Sequence, residues 1–236
     1  MKKEGIYLRL MPAYCLLMAL CLVVSVIGSR AVDTIAANAT IPNRKTVVID
    51  AGHGGMDGGA VSCTGVYESN LNLEIALRLD DLMHLLGINT QMIRTTDCSV
   101  YTSGETIAQK KVSDLKERVR ITNSVSDGLL VSIHQNLFSD SQYSGAQVFY
   151  APTSGSEELA EMMQTALVKN LDPQSRRKNK KADSIYLMQH ITCPGILVEC
   201  GFLSNPQEEY MLRSDAHQKK ICAVIACTVS TYLFNT

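Results

Sequence analysis

The sequence predicts an α/β domain, a mostly parallel twisted sheet flanked by helices on both faces. Three observations carry this. Strand-like and helix-like patterns alternate from Lys45 onward. Several strand patterns are apolar on both faces, as in a sheet covered on both sides. The 236 residues suffice for a single domain with a core and a short appendage.

The appendage is N-terminal. Lys2, Lys3 and Arg9 precede an uncharged run of 18 residues, Leu10 to Ile27. A basic head and an apolar run read as an export signal. The run is also close to the ~20 residues that span a bilayer, so an uncleaved membrane anchor fits equally. Residues 1–28 are therefore assigned to a signal peptide or anchor, 29–44 to a polar linker and 45–236 to the domain, placed outside the cytoplasm.

The elements follow in order. "KTVVID" is a short apolar strand that runs into a glycine loop. "SNLNLEIALRLDDLMHLLG" carries Leu71, Ile75, Leu79, Leu82 and Leu86 at helical spacing, with Ser69 or Asn70 as cap and Gly87 as stop. "INTQMIRTT" reads as a strand. The stretch after Ser103 is polar and then helical from about Val112. "GLLVSIHQN" and "GAQVFYAP" read as strands and "SEELAEMMQTALVKNL" as a helix. "SRRKNKKADS" is a basic loop, "GILVECGF" a buried strand, and a short helix and a long one close the chain. Of the cysteines outside the apolar run, Cys63, Cys98, Cys193, Cys200, Cys222 and Cys227 form no Cys-x-x-Cys pair and read mostly as free, buried thiols.

Composition narrows the function. The formal net charge is −1, there is no Trp, and four Phe and nine Tyr are scattered. Neither a nucleic-acid-attracting field nor a base-stacking platform is implied. The glycine loop, "VVIDAGHGGMDGGA", does not resemble a dinucleotide turn. Its spacing is Gly52-x-Gly54-Gly55, no helix starts directly after it, and no GK[ST] follows.

Ligands of such sheets sit beyond the carboxyl ends of the strands. His53, His134 and Glu199 fall at or just after predicted strand ends, and Glu68 lies between the first strand and the first helix. Two histidines and a carboxylate form a catalytic zinc set, and a second carboxylate can act as general base. Glycines around His53 would let the loop turn and a bulky substrate approach. Asp50 and Asn136 would either orient the imidazoles or satisfy nearby backbone. Arg176, Arg177, Lys178, Lys180 and Lys181 read as a solvated basic loop, and His84, His190 and His217 as ordinary residues.

Taken together, "VVIDAGHGGMDGGA", "ESNLNLEIALRL", "LLVSIHQN", "GAQVFY" and "PGILVECGFLSNPQE" resemble the zinc-dependent N-acetylmuramoyl-L-alanine amidases of the amidase-3 family, in the family's order and over about Lys45 to Leu233. "VECGFLSNPQEE" is most similar to the germination-specific, CwlD-type amidases of endospore formers. The resemblance implies that His53, Glu68 and His134 hold Zn2+ and that Glu199 is the catalytic glutamate. It implies peptidoglycan as substrate and hydrolysis of the amide between the muramic lactyl group and L-alanine, as a step towards muramic-δ-lactam in spore cortex. A zinc peptidase cutting within the stem peptide and a vegetative lytic amidase are the alternatives. Gln135 departs from the small residue the family often has between His and Asn. With no separate wall-binding repeat, localisation falls to the N-terminus, a partner protein or the domain itself, and an activating partner remains open.

Overall fold

The structure is a computed structural model that describes residues 45–235, so the proposed signal or anchor and the linker lie outside the described residues. Its strands are β1 (Thr46–Ala51), β2 (Thr90–Met92), β3 (Gly128–Asn136), β4 (Gln147–Tyr150), β5 (Lys180–Lys181) and β6 (Gly195–Phe202). Its helices are α1 (Glu68–Leu85), α2 (Ile107–Asn123), α3 (Ser156–Leu171), α4 (Tyr186–His190), α5 (Pro206–Leu212) and α6 (Asp215–Asn235). They build one α/β domain with the sheet order β2-β1-β3-β6-β4-β5.

β2, β1, β3 and β6 run parallel, whereas β4 pairs antiparallel with β6 and carries β5 parallel to itself. The parallel strands are apolar on both faces because both faces are covered. Val48 and Leu130 pack with Leu187, Met188, Ile191 and Leu197 in one cluster, joined by Val119 of α2. Elsewhere α6 packs against α1 and α3. Ile75, Leu79 and Met83 of α1, Leu159 and Met163 of α3, and Ile221, Ile225 and Val229 of α6 are buried. Each such side chain contributes about 1.5–3 kcal/mol by leaving water.

The helix starts differ from the sequence reading in two places, and both have local causes. α1 begins at Glu68, with Tyr67 rather than Ser69 or Asn70 at its N-cap and no side-chain cap. The glycine loop does the capping: the Glu68 N–H donates to the Ala60 carbonyl (2.8 Å) and the Ser69 N–H to the Gly58 carbonyl (3.1 Å). α2 begins at Ile107, five residues before Val112, because Thr106 and Gln109 form a reciprocal capping box. α1 ends as expected before Gly87, whose φ is +74°. The six described cysteines are free, but only Cys200 and Cys222 are buried; Cys63, Cys98 and Cys227 are exposed and Cys193 is intermediate.

Candidate metal centre

Sheet register builds half of the site. β3 and β6 are parallel neighbours in which His134 stands beside Glu199, and Ser132 stands beside both Asp50 of β1 and Leu197 of β6. Neighbouring residues in register share a face. Asp50, Ser132, His134, Leu197 and Glu199 therefore face the α2 side together, near the carboxyl ends of their strands.

The loop after β1 builds the other half. His53 adopts φ +61°, in the left-handed region that costs a non-glycine residue free energy, about 1 kcal/mol or more. Two buried arginines hold this stretch. Arg94 donates from Nε to the Ala51 carbonyl (2.8 Å) and from Nη2 to the Gly52 carbonyl (3.0 Å). Arg118 of α2 donates from Nη1 to the Ala51 carbonyl (3.0 Å) and from Nη2 to the His53 carbonyl (2.6 Å). Every carbonyl from 51 to 53 is thus tied to a guanidinium.

Arg118 is itself anchored by Asp50 and Asp114. Arg118 is 2% exposed and Asp50 1%, so this pair is desolvated. Burial pushes the Asp50 carboxyl up, but the Arg118 charge, then His134 and the Ser132 and Arg118 hydrogen bonds, hold it below its usual value.

Between the two halves lies Glu68, in the first turn of α1. Its Oε2 is 3.2 Å from His53 Nε2, and its Oε1 is 2.9 Å from His134 Nδ1. Oε2 accepts from the Ala60 N–H (2.9 Å), and Oε1 accepts from the Gln135 N–H (3.1 Å) and Asn72 Nδ2 (3.2 Å). Burial raises the Glu68 pKa, yet the imidazoles of His134 and His53 outweigh it and keep the carboxylate ionised well below the usual range. His53 Nδ1 lies 2.9 Å from Asp57 Oδ2. Burial works against a charged His53, but Glu68 and then Asp57 dominate and push its pKa up to about 9. An imidazole between two carboxylates is a place where added positive charge, a proton or a cation, is stabilised.

The glycines clear room for these side chains. A Cβ on Gly52 would lie 2.2 Å from His134 Nε2. A Cβ on Gly59 would lie 2.6 Å from Glu68 Oε2 and 2.7 Å from the His53 ring.

His53, Glu68 and His134 offer ligand atoms that all lie within 4.8 Å of one another, the metal-capable group found among the described residues. Glu199 stands beside them. Burial pushes its pKa up to about 7, His134 opposes this and the Glu68 charge adds to it. Its Oε2 is out of solvent contact and has no hydrogen-bond partner. The group opens on a cleft of about 300 Å3 lined by Gly52, His53, His134, Glu199, Leu197 and one side of α2 from Ile107 to Arg118.

The four sequence-predicted residues are therefore brought together. The two candidate orienting residues are not both in that role. Asp50 is bound to Arg118 and Ser132 rather than to an imidazole. Asn136 offers its backbone carbonyl to the Leu203 N–H (2.8 Å). Of the basic run, Arg177 packs its guanidinium 4.5 Å from the Phe202 ring, and Lys180 and Lys181 form β5 at the sheet edge.

A family model described as N-acetylmuramoyl-L-alanine amidase (Amidase_3) matches residues 47–231. The chain belongs to this amidase family. The germination-specific N-acetylmuramoyl-L-alanine amidase of Bacillus subtilis (strain 168) is 38% identical over 183 residues, 77% of this chain and 76% of the relative. The CwlD amidase of Clostridioides difficile, solved in complex with the GerS lipoprotein, superposes with a TM-score of 0.78 at 37% identity, over 81% of this chain and 100% of that one. An N-acetylmuramoyl-L-alanine amidase of Clostridium difficile 630 has a TM-score of 0.69 at 33% identity, over 81% and 97% of the two chains. The chain is thus an N-acetylmuramoyl-L-alanine amidase, and the stem-peptide peptidase alternative loses its ground.

Sequence reasoning missed four residues that shape the amidase's site. Asp57 holds His53, Asn72 links Glu68 to the Gly52 carbonyl and to Gln135 Nε2, and Arg94 and Arg118 hold the loop. Asp57 lies inside the glycine loop, four residues after His53, and that proximity was its signal. Nothing in the helical pattern distinguished Arg118 from the solvated arginine at 120.

Proposed function

We propose that the amidase holds a zinc ion between His53, Glu68 and His134, with Glu199 as the general base and acid of the hydrolysis. The donor set fits the ion, since two imidazoles and a carboxylate are ordinary zinc ligands and leave a further position open. The observation that carries the reading is the Glu199 carboxylate, whose buried Oε2 is unpartnered in the cleft onto which the His/Glu/His group opens.

Bound there, zinc would supply Lewis acidity towards the scissile carbonyl and acidify water at neutral pH. The chain's own residues account for the remainder. Glu199 takes the proton of the attacking water and hands it to the departing L-alanine amine. Asp57 keeps a proton on His53 Nδ1, which would leave Nε2 as the ring atom offered to the zinc. Gly52 and Gly59 keep the imidazoles and the approach of a branched muramoyl group unobstructed.

The B. subtilis relative supports a part in spore-cortex maturation, where this cut leads to muramic-δ-lactam, over vegetative lysis. Export and tethering would fall to residues 1–28. The C. difficile relative's complex with GerS supports an activating lipoprotein partner for this chain too.

Incubation with purified peptidoglycan tests the chemistry. The zinc-loaded chain should release stem peptides with N-terminal alanine and leave free muramic lactyl carboxylates. Glu199→Gln should keep its zinc and lose about 10²- to 10⁴-fold in rate. New N-termini other than alanine would move the cut inside the stem. Full activity in Glu199→Gln would remove Glu199 from its role.

A further inference from the structure

The cleft extends beyond the metal-capable group, along α2. Ile107 and Lys110 of α2 line it there, together with Tyr101, Ile185 and Leu187. The lysines and the arginine along this cleft are paired with one exception. Arg118 is paired with Asp50 and Asp114, and Lys111 with Asp57 at 2.8 Å. Lys110 has no anionic partner among the described residues. Lys110 is a partly exposed residue, and its ammonium lies 5.2 Å from the centroid of the Tyr101 ring, which holds it at the cleft wall.

We propose that Lys110 binds a carboxylate of the stem peptide, making this arm of the cleft the subsite for the peptide side of the scissile amide. The inference rests on the reading of His53, Glu68, His134 and Glu199 as the reaction centre. An ammonium without an anionic partner on a cleft wall is a receptor for an anion, and a lysine offers a carboxylate a rotatable, charge-assisted donor. The position sets which carboxylate. Lys110 is eight residues before Arg118, whose guanidinium holds the His53 carbonyl, and that is about 12 Å of helix rise. An extended peptide covers this in about three or four residues. The carboxylate therefore belongs to the first few residues of the stem. Ile107, Ile185 and Leu187 give its aliphatic carbons an apolar wall.

The test uses the zinc-loaded full chain and a soluble muramoyl tripeptide in two forms, one with its side-chain and terminal carboxylates free and one with them capped as primary amides. Lys110→Met should raise KM for the free acid roughly 5- to 20-fold, with kcat within about twofold, and leave kinetics on the capped form unchanged. Lys110→Arg should recover most of the loss. The parent's preference for the free acid should weaken as salt is raised. Equal effects of Lys110→Met on both forms, or no effect on either, would overturn the proposal. If the parent cleaves neither form while releasing alanine-terminated peptides from whole peptidoglycan, the amidase reading stands and the subsite proposal fails. If it releases such peptides from no substrate, the reaction centre itself is misassigned.

Discussion

His53 and His134 face the same carboxylate, yet they are held by opposite means. His134 sits in β3 without a positive φ, just before the register between β3 and β6 shifts, and its place beside Glu199 follows from sheet register. His53 sits on a loop at φ +61°, and its place depends on other side chains: Arg118 and Arg94 on the backbone, Asp57 on the ring. The strand-borne ligand inherits the rigidity of a buried sheet. The loop-borne ligand needs a purpose-built support, which spends buried charge to hold a strained turn. The two ligands should therefore fail in different ways.

Arg118→Met should have the largest effect. It leaves Asp50 buried without its cation and frees the His53 carbonyl, while the Ala51 carbonyl keeps only Arg94. Breaking such a pair costs about 3–5 kcal/mol, which urea unfolding would read, and the remaining folded protein should bind metal poorly through loss of His53. Unchanged stability would mean that the pair does not support the loop.

Gly52→Ala attacks the strand side. Gly52 is not in the left-handed region, so the change acts through its Cβ, placed 2.2 Å from His134 Nε2. Displacing that ring should weaken zinc binding about 100-fold, measured by competition with a chromophoric chelator, with circular dichroism checking the fold. An unaltered affinity would show that the ring can yield without cost.

Asp57→Asn sharpens the contrast because it touches only the loop ligand. Zinc affinity should fall about 10- to 100-fold, while the unfolding midpoint moves little. Among the described residues His134 has no comparable partner beyond Glu68, so the loop histidine should be the more sensitive of the two to its surroundings.

The smallest effect is one of pH. The folded-state pKa of Asp50 is depressed below its usual 3.8. Its stabilisation is therefore present above that value and lost as pH falls through the folded value. In Asp50→Asn the urea-unfolding stability should fall less steeply with acid below about pH 4 than in the parent. Parallel slopes would place the acid sensitivity elsewhere.

The same division explains what the sequence could reveal. β3, α3 and β6 were legible to the residue, since each is a strongly patterned run between turn residues. β5 and α4 were not, because two lysines in a basic loop and five residues before a turn carry no period. The start of α2 was missed although Thr106 and Gln109 spell a capping box, since the polar stretch hid the apolar spacing. His53, Glu68, His134 and Glu199 could be found because strand ends and the helix start locate them. Arg94, Arg118 and Asn72 could not, because their task is to satisfy particular carbonyls and carboxylates that only the folded loop brings within reach.

Metal content tests the central claim most directly. The full chain and its His53→Ala and His134→Ala variants would be dialysed against trace zinc and analysed by elemental mass spectrometry. About one zinc per parent chain is expected, and almost none in either folded variant. A parent without zinc, or a His134→Ala chain that still holds a full equivalent, would contradict it.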